Sequence, residues 1–309
     1  MNETSARRKA EEFTNRCLRP AVEDFVKRSL GPDIIDEMLK NKQFSNRIEC
    51  QYSILLDLLT QNDFEKYLSY IGSYENYVKK WILDQIVTHF SNGSRMSQLE
   101  DQRLQSSISS INDAINKAKT ENSGNMKTFV EDVCQELGDK LVISQDALGA
   151  FMILNNADQP QNELFNKLIG CGKQCPFCKA PCEAGGKEHT EHWTSLHRPE
   201  GLGSYRWTST KKLLTDICSS AVISDVRFHC NATNGKYHPY KRYKEIFPDW
   251  HITPDGSLQA SDYWKYVLAK FNNKFAKEYN AQPADIPSSW KDIKHQQAEA
   301  SLKESFNIK

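Results

Sequence analysis

The stretch from Cys171 to Pro199 is the densest cluster of cysteine and histidine in the chain. It holds four of the nine cysteines and three of the eight histidines among 309 residues. Cys175 and Cys178 form a Cys-Pro-x-Cys knuckle, a tight turn that can direct two thiolates at one ion. His192 and His197 can present two imidazoles from one helical face or a helix end. Together these four residues predict a tetrahedral Cys2His2 site for Zn²⁺.

The same stretch offers more ligands than one ion needs. The order of preference is Cys175, Cys178, His192 and His197, followed by Cys182, then His189, with Cys171 last. Two other interpretations stay open: ordinary core cysteines beside surface histidines, and a disulfide cluster, against which the lack of a secretory signal argues. We expect a structural ion, because a catalytic zinc keeps one position open for water and needs a nearby general base.

The composition limits the other classes of function. Forty basic and forty acidic residues cancel, so the chain has no overall polyanion-binding character. The N-terminus has no apolar signal region, and no apolar run approaches the length of a membrane span. We therefore expect a soluble protein without membrane contact, in the cytoplasm and also in the nucleus. An odd number of cysteines fits a reducing compartment.

The sequence of the first half predicts only helices, which are expected to form a bundle or arm over residues 1–170. A polar helix is expected to break at Arg19-Pro20, and a second helix to end near residues 30–32. Apolar residues at helical spacing predict two or three amphipathic helices within 51–90. A narrower stripe at Leu104, Ile108, Ile111 and Ile115 suits a seam against one helix, in this chain or in another copy. Short helices are expected at 129–137, 148–154 and 164–169.

The second half predicts a mixed domain. A short helix is expected at 210–219, a half-buried strand at 222–230 and a hairpin-type turn at Asn234-Gly235, which together indicate a small sheet near the zinc. Two helices close the chain, one capped at Ser261-Asp262 and one following Pro287. The expected fold is mainly α: a helical arm (1–170), a zinc-binding segment (171–200) and a small zinc-stabilised α+β domain packed on that segment (201–309), ending in two helices.

Catalytic motifs are missing from the sequence. No phosphate-binding loop, dinucleotide fingerprint or Gly-x-Ser-x-Gly motif occurs. Cys182 and His189 could form a nucleophile–base pair, but among so many metal-type ligands a metal role is favoured. We expect no catalytic and no cofactor-binding residues.

The stretch 206–245 is locally basic, with eight basic and three acidic residues, an excess of five. Its cations alternate with Tyr237, Tyr240 and Tyr243, as in platforms that bind single-stranded nucleic acid. The alternative is a solvated basic face beside aromatic packing residues, and it is favoured. The zinc-binding segment is nearly neutral and lacks the spacing of a DNA-reading finger.

Several runs resemble one family. Cys-Pro-Phe-Cys-Lys-Ala-Pro-Cys, His-Thr-Glu-His and Leu-His-Arg-Pro-Glu-Gly-Leu-Gly are followed by Tyr-Lys-Glu-Ile-Phe-Pro-Asp-Trp-His-Ile and Ser-Asp-Tyr-Trp-Lys-Tyr-Val-Leu-Ala-Lys-Phe. These runs are similar to the C-terminal end of the very large interferon-inducible GTPases. The upstream segments Gln-Tyr-Ser-Ile-Leu-Leu-Asp-Leu-Leu and Tyr-Leu-Ser-Tyr-Ile-Gly-Ser-Tyr-Glu resemble that family's helical region. The resemblance implies an interferon-response, innate-immune setting.

The chain departs from that family by lacking every nucleotide-binding motif, so GTP hydrolysis is carried over to no residue, and we expect a C-terminal fragment or a truncated paralogue. The first hypothesis is a non-catalytic interaction or assembly module with protein partners or self-association, in which zinc stabilises a loop-rich segment. The second is nucleic-acid binding through 206–245. The third is enzymatic, as an accessory part of a GTPase or as a zinc-dependent ubiquitin-transfer module, for which the eight-ligand cross-brace is not evident.

Overall fold

The computed structural model describes residues 8–10, 12–91, 94–121, 159–186 and 188–308. Contacts divide the chain into two units, Met1–Met38 with Leu83–Glu163 and Leu39–Ile82 with Leu164–Lys309. The helices predicted at 129–137 and 148–154 lie outside the described residues. The domain boundaries expected at 170 and 200 stay a prediction, since the contacts define a grouping in which 39–82 belong with the C-terminal half.

The described residues are mainly helical. In chain order the helices are α1 Arg19–Leu39, α2 Arg47–Gln61, α3 Phe64–Gly72, α4 Tyr74–Phe90, α5 Ser94–Glu121, α6 Pro160–Leu168, α7 Cys218–Ala221, α8 Asp262–Glu278, α9 Ser288–Lys291 and α10 His295–Ser305. The strands are β1 His192–Trp193, β2 Arg227–Phe228, β3 His238–Pro239 and β4 Trp250–His251. No helix among these described residues is long and apolar enough to cross a membrane. Because most of the described residues are helical and the strands are only two residues long, the mainly α class is confirmed.

Helix α1 corrects two predicted breaks. It follows a π-helical turn and runs without interruption from Arg19 to Leu39, with Pro32 inside it. Arg19-Pro20 follows directly on the π-helical turn, so the break expected there is absent. Pro32 costs one intrahelical bond, but Ile34, Ile35 and Met38 are buried directly after it. Their packing outweighs the local preference to stop.

Helix α5 contains the predicted apolar stripe. Leu104 and Ile108 are buried, and Ile111 is half-buried. The side chain of Ile115 lies outside the described residues. Arg103 on the same helix donates through Nε to the Asp33 carboxylate of α1 at 2.8 Å. The first two residues of the stripe, Leu104 and Ile108, are therefore buried within this chain.

In the second unit, α2 and α3 pack with the C-terminal helices α8 and α10. Tyr263 of α8 donates to the carbonyl oxygen of Leu55 at 2.9 Å, and its hydroxyl lies 3.2 Å from that of Tyr67. Phe64 at the start of α3 packs edge-on against Phe275. The predicted C-terminal helices are found, with the second divided into α9 and α10. These four helices form an aromatic core that spans more than 200 positions of sequence.

The loop-rich part between α6 and α8 has its own core around Phe177. This ring is fully buried and contacts five aromatic residues, Tyr205, Phe228, Tyr240, Tyr243 and Phe247. Strands β2 and β3 pair antiparallel, with Phe228 opposite His238. In the connection between them Asn234 and Gly235 both have positive φ, as the predicted turn requires. Tyr240 and Tyr243 thus belong to this core.

Two predicted elements of this part are wrong. Residues 212–217 are extended rather than helical, because Leu213 and Ile217 form isolated bridges with Arg206 and Pro199. The expected strand at 222–230 is reduced to β2. Val226, an apolar residue of this expected half-buried strand, is exposed. The turn that ends α7, in which the Ser224 hydroxyl donates to the carbonyl oxygen of Ala221, occupies the first residues of the expected strand.

Candidate metal centre

The Cys175–Cys178 knuckle is closed by the backbone. The N–H of Cys175 donates to the carbonyl of Ala180 at 2.7 Å, and the N–H of Lys179 donates to that of Cys175 at 3.1 Å. Lys179 has φ of 60°, so the chain reverses sharply after the second cysteine. The two thiols consequently lie within 4.8 Å of each other.

The knuckle contributes to a group of four buried side chains, which we call the inner tetrad: Cys175, Cys178, His197 and Cys218. All of their ligand-type atoms lie within 4.8 Å of one another. The Sγ atoms of Cys175 and Cys218 are 3.7 Å apart, and Sγ of Cys178 lies 3.3 Å from Nδ1 of His197. No disulfide links the described cysteines.

Cys218 reaches the inner tetrad through a backbone pairing. Glu200 and Gly201 donate their N–H groups to the carbonyls of Asp216 and Leu214 at 2.8 and 2.9 Å. This pairing places the start of α7 beside the segment that carries His197. Cys218 thus joins the inner tetrad although it lies 40 positions after Cys178 in the sequence.

The thiols of the inner tetrad influence one another's ionisation. Burial raises the pKa of Cys175 and of Cys218. Burial acts on Cys178 in the same direction, but hydrogen bonds with the other two thiols and the neighbouring His197 outweigh it and hold the pKa of Cys178 well below its usual range. One thiolate is therefore favoured, while three buried thiolates require a compensating cation.

A second group, the outer tetrad, uses the remaining cysteines and histidines of the segment: Cys171, Cys182, His189 and His192. The distances are 3.7 Å from Cys171 Sγ to His192 Nδ1, 3.5 Å from Cys182 Sγ to His189 Nε2 and 3.0 Å between the two imidazole nitrogens. Cys171 and His189 are half-buried, whereas Cys182 and His192 are buried. The outer tetrad is thus more accessible than the inner one.

Strand pairing positions His192. Its N–H donates to the carbonyl of Asp249 at 2.7 Å, and β1 pairs parallel with β4. The other ring nitrogen of His192 faces the Asp249 carboxylate at 3.7 Å. Burial, followed by the neighbouring His189, lowers the pKa of His192 and keeps its ring neutral, which is the form that binds metals.

Two arginines connect this segment to the helices of the second unit. Arg47 of α2 donates to the carbonyl oxygens of Cys182 and Glu183. Arg198 is fully buried, with its guanidinium 4.0 Å from the centre of the Trp264 ring and one nitrogen 3.3 Å from the Tyr70 hydroxyl. The residues beside His197 and Cys182 are therefore fixed by α2, α3 and α8.

The sulfur–sulfur and sulfur–nitrogen distances are close to those of tetrahedral coordination, whereas the two imidazole nitrogens of the outer tetrad, 3.0 Å apart, are closer than the separation of about 3.3 Å that two nitrogens on one tetrahedral ion would have. Two thiolates at about 2.3 Å from one tetrahedral ion lie about 3.8 Å apart, and a thiolate and an imidazole nitrogen about 3.6 Å apart. The observed sulfur–sulfur distance is 3.7 Å, and the sulfur–nitrogen distances range from 3.3 to 3.7 Å. One feature differs from many metal sites, since Nε2 of His197 and Nδ1 of His189 are buried without a hydrogen-bond partner in the described part of the chain.

The structure divides the preferred ligand set. Cys175, Cys178 and His197 lie together, but His192 belongs with Cys182, His189 and Cys171. His192 and His197 share no helix, because His192 lies in β1 and His197 in the loop that follows. The assignment of individual metal ligands stays a prediction.

Sequence reasoning missed Cys218. The signal that could have found it is arithmetic: the segment 171–197 holds seven cysteines and histidines, one fewer than two tetrahedral ions require. A downstream cysteine among apolar residues was the natural candidate for the eighth position.

Comparison with known proteins finds a family match that includes the segment with both tetrads. Residues 171–302 match the family described as interferon-induced very large GTPase 1, C-terminal domain. The mouse (Mus musculus) and human (Homo sapiens) proteins of the name interferon-induced very large GTPase 1 are each 25% identical to the chain, over 310 and 304 residues. These alignments cover 84% of this chain and 12% of each relative. No solved structure matches the chain.

The alignments reach beyond the C-terminal domain, because 84% of the chain is more than residues 171–309 can supply. The chain spans only about an eighth of the length of these relatives, so the activity in their name belongs to them. The resemblance recognised in the sequence is confirmed: residues 171–302 match the C-terminal domain of the interferon-induced very large GTPases, and the alignments with the mouse and human proteins cover 84% of this chain.

Proposed function

We propose that the chain is a non-catalytic, zinc-stabilised interaction module that holds two structural Zn²⁺ ions, one in each tetrad. The observation that carries this proposal is the presence of two separate groups of four cysteine and histidine side chains, in each of which the ligand-type atoms lie within 4.8 Å of one another. Cys3His and Cys2His2 sets are typical ligands of structural zinc.

The environment of the inner tetrad supports a role in folding. Cys175, Cys178 and Cys218 belong to the hydrophobic core around Phe177. Without a cation, three buried thiols would fill the centre of a loop-rich core, in which each of the described strands is only two residues long. Zinc binding would supply free energy that these short elements lack, as it does in small zinc domains.

Both tetrads favour a structural over a catalytic role. Each offers four protein ligands, which leaves no coordination position for a water molecule. The sequence contains none of the nucleotide-binding motifs named above. The proposed module would therefore act through the surfaces that zinc holds in shape.

The ligand order bears on the ubiquitin-transfer alternative. The two tetrads together contain eight cysteine and histidine side chains, one more than the sequence interpretation recognised. In chain order, Cys171 belongs to the outer tetrad, Cys175 and Cys178 to the inner, Cys182, His189 and His192 to the outer, and His197 and Cys218 to the inner. Successive pairs do not alternate between the two groups, so the order gives no support to a cross-brace.

Metal analysis tests the proposal. Protein purified without a metal-affinity tag is expected to contain two zinc ions per chain, and removing them should lower the midpoint of thermal unfolding. The same preparation should neither bind nor hydrolyse GTP. Protein that carries no zinc, or that melts unchanged after chelation, would contradict the zinc role, while GTP turnover by the chain would contradict the non-catalytic role.

A further inference from the structure

A cleft of about 850 Å³ lies beside the knuckle. Its walls come from residues 203–209, from 226–232 and from the turn that carries Gly235 and Tyr237, and Pro176 and Lys179 close one side. All of these residues belong to the C-terminal half of the second unit. The cleft is separate from both tetrads and has no role in the zinc proposal.

The charges that line the cleft are of one sign. Lys179, Arg206 and Arg227 contribute cations, and no aspartate or glutamate is among the lining residues. Arg206 is bound by the carbonyl oxygens of Tyr279 and Asn280, so its charge is not cancelled by a carboxylate. An anionic ligand would therefore meet cations without a repelling group.

The neighbouring basic residues behave differently. Three cations of the stretch 206–245 are paired with carboxylates, in the pairs Lys241–Asp225, Arg242–Glu245 and Lys212–Asp285. The distances of these pairs are 2.6, 2.6 and 2.7 Å. Of the other five cations of the stretch, Arg206 and Arg227 line the cleft, and Lys211, Lys236 and Lys244 are exposed outside its lining.

Two aromatic rings of the cleft are open to solvent. Trp207 is 45% exposed and Tyr237 is 49% exposed, in contrast to the buried Tyr240. Tyr237 is held in place, since its hydroxyl donates to Thr208 Oγ1 at 2.9 Å and its ring contacts His229. Fixed, exposed rings beside cations are the arrangement on which unpaired bases stack.

We propose that this cleft binds a short single-stranded segment of nucleic acid, whose bases stack on Trp207 and Tyr237 and whose phosphates contact Arg227, Arg206 and Lys179. An acidic peptide would satisfy the cations but would leave the two rings without a matching planar partner. The rings therefore favour a nucleic-acid strand. Because Pro176 lies in the knuckle and Lys179 directly follows it, the cleft needs the folded zinc-containing domain.

Fluorescence anisotropy with a labelled 12-residue oligouridylate tests the proposal on the zinc-loaded full chain. With three phosphate contacts the logarithm of the binding constant should fall against the logarithm of salt concentration with a slope of about −2. Trp207→Ala should weaken binding about tenfold. Arg227→Gln should reduce the magnitude of the salt slope by about 0.7.

Lys244→Gln is the matched control. Lys244 is exposed and lies outside the cleft lining, so its replacement removes one charge and should leave the affinity unchanged within about twofold. Equal weakening by Lys244→Gln and Arg227→Gln, wild-type affinity of Trp207→Ala, or equal displacement of the strand by polyglutamate would overturn the proposal. Zinc content measured on the same samples separates this result from the metal proposal, because a chain with two zinc ions that does not bind the strand refutes only the cleft.

Discussion

Two fully buried cysteines show how the surroundings of one sulfur atom decide its role. Cys50 in α2 and Cys218 in α7 have no exposed surface. Burial alone raises the pKa of Cys50 to about 12, and this thiol belongs to neither tetrad. The sulfur of Cys218 lies 3.7 Å from that of Cys175 and within reach of two more ligand-type atoms. We infer that Cys50 is an apolar packing residue and that Cys218 is a ligand.

The pair gives a residue-scale prediction. Cys218→Ala should reduce the zinc content from two ions per chain to one and lower the free energy of unfolding by more than about 4 kcal/mol, because a metal site is lost. Cys50→Ala removes a sulfur of equal burial and should keep both ions at a cost of about 1 kcal/mol. Elemental analysis and urea unfolding measure the two effects. Equal zinc content in both variants would contradict the assignment of Cys218.

At the scale of elements, the inner tetrad depends on the contact between the knuckle and the 3₁₀-helix Glu200–Gly203. A Cβ atom at Gly203 would lie 1.8 Å from the carbonyl oxygen of Phe177, which is backbone and cannot move aside alone. Gly185, between two outer-tetrad residues, has nothing within 4 Å of the same position. The glycine at 203 is therefore needed for the close approach of two backbones.

Substituting these two glycines tests that contact. Gly203→Ala should displace the knuckle, destabilise the chain by at least about 3 kcal/mol and weaken zinc retention by the inner tetrad. Gly185→Ala should leave thermal unfolding and zinc content close to those of the wild type. Thermal unfolding of Gly203→Ala indistinguishable from that of Gly185→Ala would show that the packing of the two backbones is not required.

The elements also show which parts of the fold were readable from sequence. The knuckle was predictable because its cysteines are three positions apart and the turn that joins them is local. Cys218 was not, because the pairing of 199–201 with 214–217 that brings it close is non-local. The closeness of His192 to Cys171, Cys182 and His189 was not predictable for a similar reason, since the position of His192 depends on β4, almost 60 residues later. The helices were recognised by period, but the packing of α2 on α10 has no local signal.

For the whole molecule, the two tetrads differ in how they meet solvent and the rest of the fold. Three cysteines of the inner tetrad are fully buried in the core around Phe177, and Cys182 of the outer tetrad belongs to the same core, whereas Cys171 and His189 of the outer tetrad are only half-buried. The outer tetrad is held from outside by the bonds of Arg47 to the carbonyls of Cys182 and Glu183. Release of the outer ion would therefore require only a local opening, and release of the inner ion would require disruption of the core.

We predict that a chelator removes zinc in two phases of equal amplitude, a fast one from the outer tetrad and a slow one from the inner tetrad. Absorbance of a zinc-sensitive dye follows the release, and circular dichroism recorded in parallel should change mainly during the slow phase. Cys171→Ala should abolish the fast phase and preserve the slow one, and Cys218→Ala should have the opposite effect. Simultaneous loss of both ions from the wild-type chain, or loss of the slow phase in Cys171→Ala, would contradict the independence of the two sites. That independence follows from the separate ligand sets, which share no residue and differ in burial.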